Sequence, residues 1–160
     1  MPMKIPSAED RAPAFTLQDA GKSKVKLTDH KGRWVVLYFY PRDNTPGCTL
    51  EALDFSALKL EFEKLDAVVL GISRDSCESH QRFIDKKGLT ITLLSDPDAK
   101  VQKKYGAWGK KKFMGKESEG TIRTTLLIAP SGHIEARWDN VRVKGHAEQV
   151  LSILKRAISM

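Results

Sequence analysis

Trp34-Val35-Val36-Leu37-Tyr38-Phe39, running into Tyr40-Pro41-Arg42-Asp43-Asn44-Thr45-Pro46-Gly47-Cys48-Thr49-Leu50-Glu51-Ala52-Leu53-Asp54, is the stretch on which the fold turns. Its first six residues are apolar or aromatic without alternation, which suits a strand covered on both faces. Thr45 is placed to cap a helix through its hydroxyl. Pro46 then takes the first helical position, where no amide hydrogen is missed. Leu50, Leu53, Ala57, Leu58, Phe62 and Leu65 recur at helical spacing, so an amphipathic helix is expected to about Leu65. Ala67-Val68-Val69-Leu70-Gly71-Ile72-Ser73 repeats the character of the first strand. Strand, helix, strand is a βαβ unit on a parallel sheet. Cys48 falls in the first helical turn, where converging amide hydrogens and the helix dipole favour the thiolate.

Upstream, Met1 to Arg11 is a polar lead-in, and Ala12 to Leu17 is an extended piece closed by a turn at Asp19-Ala20-Gly21. A half-buried strand at Val25 follows, then a turn from Thr28 to Gly32. Downstream, the capping pattern Asp75-x-x-Glu78 opens a helix that carries His80, Phe83 and Ile84 and stops at Gly88. Ile91 to Leu94 is a short strand, and Ala99 to about Tyr105 a short helix. Residues 106–120, rich in Gly and Lys, lack periodicity and are assigned to a loop. Thr124 to Ala129 and Ile134 to Trp138 form a hairpin through Pro130-Ser131-Gly132. A last helix, from about Ala147 to Ala157, places Val150, Leu151, Leu154 and Ile158 on one face. The reading is an α/β chain of one domain over residues 1–160, a central mixed sheet flanked by helices.

Composition agrees with a globular domain, since apolar residues are 41% and charged ones 29% of the 160. No apolar run approaches the roughly 20 residues that span a bilayer. The first ten residues lack the apolar centre of a secretory signal, so a cytoplasmic location is expected. The formal charge of +7 is concentrated in part between Lys100 and Lys116. No helix-turn-helix, zinc-ligand spacing or aromatic-interleaved basic stripe accompanies those lysines, so they are read as a solvated surface rather than a specific nucleic-acid site. No His, Cys, Asp and Glu group has metal-ligand spacing, and no phosphate loop or dinucleotide fingerprint follows a strand. Neither metal nor cofactor is expected.

Pro41-x-x-x-Thr45-x-x-Cys48 resembles the active-site signature of the peroxiredoxins, thiol peroxidases of thioredoxin-like fold. Tyr40-Pro41, Pro46-Gly47-Cys48-Thr49, Tyr105-Gly106-Ala107-Trp108-Gly109 and Arg123-Thr124-Thr125-Leu126-Leu127-Ile128 are similar to the bacterioferritin comigratory protein branch, also called peroxiredoxin Q. The likeness runs from about Ala12 to the C-terminus. It implies reduction of hydrogen peroxide and organic hydroperoxides, with Cys48 as nucleophile. It implies too that Arg123 holds the thiolate and that Pro41 packs over it, and it suggests a monomer recycled by thioredoxin, glutaredoxin or glutathione.

The chemistry asks for such helpers. Lowering a thiol from about 8.5 to about 6 needs roughly 3.4 kcal/mol. A helix terminus gives about 0.3 to 1 kcal/mol, rising to about 2 in a sheltered place, so a fixed cation must supply the rest, and a guanidinium also offers planar donors. The Thr45 hydroxyl and the Gly47 and Cys48 amides can add donors. After attack Cys48 becomes a sulfenic acid that must condense with a thiol before it oxidises further. In the branch that thiol commonly stands five residues on or near position 84, where this chain has Leu53 and Ile84. Cys77 is the second of only two cysteines. It either resolves Cys48 within the chain or is a small packing residue, leaving Cys48 to an external thiol. His80, one turn after Cys77, could lower that thiol's pKa or be an ordinary core histidine, and His146 opens the last helix. Two other readings stand beside the peroxidase: a dithiol-disulfide oxidoreductase, disfavoured by the lack of Cys-x-x-Cys, and a basic holdase or binding module with incidental thiols.

Overall fold

The computed structural model describes residues 5–160; the first four residues of the lead-in lie outside them. Its centre is β3 (Trp34–Phe39), buried along nearly its whole length, paired in parallel with β4 (Ala67–Ser73) from Trp34 opposite Ala67 to Phe39 opposite Ile72. β5 (Thr92–Ser95) extends the parallel part beyond β4. β1 (Thr16–Asp19) and β2 (Lys24–Lys26) add antiparallel on that side. On the other side β8 (Thr124–Ile128) runs antiparallel to β3, and β9 (Ile134–Trp138) to β8. The sheet order is β2-β1-β5-β4-β3-β8-β9. This is the mixed sheet expected, and both crossovers between its parallel strands are helical.

Those crossovers are α1 (Pro46–Ala57) with α2 (Lys59–Lys64), and α3 (Cys77–Lys87). With α5 (His146–Ser159) they cover the sheet face that carries Val36, Tyr38, Val69 and Leu93. The opposite face, with Val35, Leu37, Phe39, Leu70 and Leu126, is closed by Phe15, α4 (Lys100–Lys104) and Tyr105. Gly71 lets the two layers close: a Cβ there would stand 2.7 Å from Tyr38 Cζ and 2.9 Å from a Leu93 methyl. The Tyr38 ring lies on that bare backbone and stacks on Phe55 of α1, centroids 4.9 Å apart.

Several local readings are corrected. The single helix to Leu65 is broken at Leu58, and its buried side is Cys48, Glu51, Ala52 and Phe55, while Leu50 and Leu53 are 45% and 39% exposed. Thr45 caps by position only; its hydroxyl donates to the Arg42 carbonyl at 2.9 Å instead of accepting an amide. The cap of α3 is Ser76, which accepts from the Ser79 amide, because the Asp75 carboxylate is engaged by the Asp43 amide and the Ser73 hydroxyl. Gly88 ends that helix in the left-handed conformation, as expected. In the last helix Ile158 is 42% exposed and does not share the buried side of Val150, Leu151 and Leu154.

The largest correction is at residues 106–120. They form an antiparallel hairpin, β6 (Trp108–Phe113) and β7 (Lys116–Thr121), closed at Met114 and Gly115, both at positive φ as a two-residue turn requires. Lys110 stands opposite Glu119 and Lys112 opposite Glu117, so charge pairs take the place of apolar alternation.

Candidate active site

Four elements deliver the site. β3 ends at Phe39, and after Tyr40 the half-buried Pro41 turns the chain away from the sheet. Asn44 at φ 59° completes the turn into Thr45 and Pro46. Cys48 enters in the first turn of α1, only 2% exposed and packed in the layer of Tyr38, Tyr40 and Phe55. Arg123 arrives from the far side of β3, immediately before β8, whose Thr124 is in register with Phe39.

The guanidinium bridges two groups of α1. Nη2 donates to Cys48 Sγ at 3.3 Å, and Nη1 donates to Glu51 Oε1 at 2.6 Å. Cys48 and Glu51 are three residues apart and so share one helical face. Gly47 leaves the approach open, since a Cβ there would stand 3.4 Å from Nη2. Burial pulls the Arg123 pKa down, but the Glu51 charge and then the Cys48 charge outweigh it, and the net shift is upward. Glu51 is 1% exposed; burial pushes its carboxyl up to about 7 against the pull of Arg123. Burial first, then the charges of Glu51 and Cys48, raise the Tyr38 hydroxyl well above its usual range. Glu51 Oε2 and the Tyr38 hydroxyl make no hydrogen bond among the described residues. Glu51 was missed in the sequence because a glutamate on a helix reads as solvent-facing. The signal was its spacing, one turn after the cysteine.

Of the residues singled out from sequence, Cys48 and Arg123 are therefore brought into contact. Thr45 stands at the N-cap of the helix that carries Cys48, its hydroxyl turned to Arg42, and half-buried Pro41 opens the turn before it. Cys77 is elsewhere. The residue is 7% exposed, and its sulfur faces Gln18 Oε1 of β1 at 3.8 Å. β1 and β8 are four strand spacings apart, about 19 Å at ~4.8 Å each. Cys48 is thus held at the β8 side of the sheet and Cys77 at the β1 side, whereas a disulfide needs Cα atoms within about 7 Å. Both are free.

His80 does not serve Cys77. It is fully buried, with Nδ1 2.8 Å from Asp43 Oδ2 and Nε2 3.0 Å from the Leu94 carbonyl. Asp43 also accepts from the Tyr40 hydroxyl at 2.6 Å and from the Ser79 hydroxyl at 2.8 Å. This cluster pins the Pro41 to Asn44 turn to α3 and went unread in the sequence. His146 does open α5; its Nε2 lies 2.8 Å from Thr125 Oγ1, and burial lowers its pKa to about 4. Among the described residues no group of three or more His, Cys, Asp or Glu is arranged to hold a metal ion.

Comparison with known proteins meets this geometry. Residues 8–137 match the AhpC/TSA family. Peroxiredoxin Bcp of Bacillus subtilis is 43% identical over 145 residues, 91% of this chain and 92% of its own. Peroxiredoxin Bcp of Xanthomonas campestris is 42% identical over 153 residues, 96% and 94% of the two chains. A cysteine-to-serine variant of Xylella fastidiosa PrxQ superposes with a TM-score of 0.92 at 39% identity, covering 97% of this chain and 99% of its own. The Xanthomonas campestris bacterioferritin comigratory protein, studied for alkyl peroxide reduction in trapped intermediate and ligand complexes, gives 0.85 at 42% identity, covering 89% and 91%. The chain belongs to the AhpC/TSA family, in its bacterioferritin comigratory protein or peroxiredoxin Q branch, and is a thiol-dependent peroxidase of thioredoxin-like fold.

Proposed function

We propose that Cys48 is the peroxidatic nucleophile and that Arg123 is its fixed cation, acting on hydrogen peroxide and organic hydroperoxides. The Cys48 thiolate attacks the terminal peroxide oxygen in line with the O–O bond. The S–O bond forms as the O–O bond breaks, and the electron pair leaves on the departing oxygen, which takes a proton to become water or an alcohol. Sulfur is oxidised to the sulfenic acid and the peroxide reduced. The observation that carries this reading is the 3.3 Å contact from Arg123 Nη2 to Cys48 Sγ. In the transition state the same donor can follow the charge onto oxygen. The Thr45 hydroxyl, whose hydrogen is given to Arg42, keeps its lone pairs for a peroxide O–H. The ring of Pro41 offers no amide hydrogen and limits water. The alkyl peroxide activity studied in the Xanthomonas campestris relative favours organic hydroperoxides as substrates.

Recycling runs through an external thiol, thioredoxin, glutaredoxin or glutathione. That thiol condenses with the sulfenic acid, releasing water, and a second thiol frees Cys48 as the disulfide departs. The opposite placement of Cys77 supports this route over an internal disulfide, which would require a helix start to unwind. Two free cysteines suit a reducing, cytoplasmic compartment. The resemblance to the branch favours a monomer, checked by its elution volume.

Mass spectrometry after one equivalent of peroxide, on the wild type and Cys77→Ser, tests the assignment. Sulfenic acid on Cys48 is expected in both. An internal Cys48 to Cys77 bond in the wild type would overturn the external route, and oxidation elsewhere than Cys48 would overturn the nucleophile.

A further inference from the structure

The thiolate of Cys48 shares its cation. Arg123 gives one nitrogen to the sulfur and the other to the carboxylate of Glu51, so with both acids ionised one positive charge stands between two negative ones. Tyr38, from β3, adds no counter-charge, and His146, at the start of α5, is held neutral by burial. The hairpin brings another cation to this place.

Gly109 and Gly120 are directly opposite each other at the base of the hairpin, on the face that also carries Lys111 and Ser118. A Cβ at Gly109 would stand 2.8 Å from Ile122 Cδ1, so the first glycine admits the residue next to Arg123. A Cβ at Gly120 would stand 3.6 Å from Lys111 Cδ and 4.0 Å from its Cε. Lys111 is paired with Ser118, so its stem leans back across the Gly120 rung, toward the end of β7 that leads within two residues into Arg123. It is half-buried, while Lys110 and Lys112 on the other face are exposed opposite glutamates. Burial, then the charge of Arg123, push the Lys111 ammonium below its usual range, and the charge of Cys48 opposes them, so all three groups share one neighbourhood.

We propose that Lys111, laid over the paired glycines of the β6–β7 hairpin, is a second cation of the site that stabilises the Cys48 thiolate where Arg123 is divided with Glu51. The proposal rests on Cys48 being the nucleophile, yet it can fail separately. Lys111 acts through the sulfur, so it is a positioning residue, and its signature is a pH profile.

In a Cys77→Ser background, iodoacetamide alkylation of Cys48 reads the thiolate without any peroxide. Lys111→Met is expected to slow alkylation by about three- to tenfold at pH 7.5, above the value of about 7 to which burial raises Glu51, so that Arg123 is divided; this is the scale of one partly screened charge. The difference narrows at high pH, where any thiol is ionised. Peroxide attack at pH 7.5 falls by a similar factor. Lys111→Arg restores both, and Lys112→Met, the same charge change on the outer face, leaves both within twofold. Unchanged alkylation in Lys111→Met, or an equal effect of Lys112→Met, overturns the proposal. A wild type that alkylates but does not consume peroxide would overturn the nucleophile's assignment, while the alkylation series still decides the part played by Lys111.

Discussion

Cys48 and Cys77 stand at comparable addresses and have different surroundings. Each lies in the first turn of a helix that follows a buried parallel strand, and each is almost fully buried. Cys48 has a guanidinium at 3.3 Å, itself fastened to a buried carboxylate; Cys77 has an amide oxygen at 3.8 Å, an acceptor that gives nothing to an anion. A helix start is thus common to both and cannot be what separates them. A donor with a permanent charge is.

The sharpest way to break that contrast is to remove each sulfur in turn. Cys48→Ser is expected to abolish peroxide consumption with a generic thiol reductant, while Cys77→Ser stays within about twofold of wild type; the reverse would exchange their roles. Next in size is Arg123→Met. Loss of one preorganised donor at a developing oxyanion costs about 10² to 10³ in rate, and stopped-flow peroxide attack should fall on that scale while Cys77 alkylation does not change. An equal slowing at both thiols would mean a global loosening.

Glu51 supplies a third test, through stability. Its carboxyl is raised from 4.5 to about 7 by burial, so the folded chain takes up a proton in that window and this contribution is lost as pH rises through it. His146 is lowered from 6.5 to about 4, so its contribution grows as pH rises over that range. The two slopes oppose. Glu51→Gln removes one, and its melting temperature should climb more steeply than the wild type's between pH 4.5 and 6.5. Parallel curves would place the proton elsewhere. The smallest effect is a transplant: Gln18→Arg sets a guanidinium beside Cys77, and because Gln18 is exposed its charge is screened. Iodoacetamide labelling of Cys77 should quicken about two- to threefold. No change would show that a charge alone, unfastened, is not enough.

The sequence readings that held are those decided by unbroken apolar runs and by chain-reversing residues. β3, β4 and the stop at Gly88 are of this kind. Those that failed did so where a polar side chain occupies a place that periodicity reserves for an apolar one. Glu51 is buried against Arg123, so the inner side of α1 runs Cys48, Glu51, Ala52, Phe55, and a count of leucines chose the wrong side. Asp75 fits a capping pattern, but its carboxylate is committed to Ser73 and to the turn at Asp43, which no local rule reports. The hairpin at residues 108–121 escaped because Lys faces Glu across its strands, around Met114-Gly115, where alternating hydrophobics and a familiar turn pair are the usual signal. A resemblance singled out Pro41, Thr45, Cys48 and Arg123, of which the structure joins Cys48 and Arg123, while the fastening of Arg123 by Glu51 was visible only in three dimensions.

The register of Phe39 with Thr124 has a mechanical meaning. Cys48 stands on the helix delivered by the turn that follows one strand, and Arg123 just before the start of its neighbour, so any tilt or thermal swing of that ladder carries sulfur and cation together, much as two lamps on one beam keep their spacing when the beam sways. Heating should therefore leave the rate per folded molecule intact until the beam itself gives way, and loss of catalysis should coincide with loss of the sheet rather than precede it.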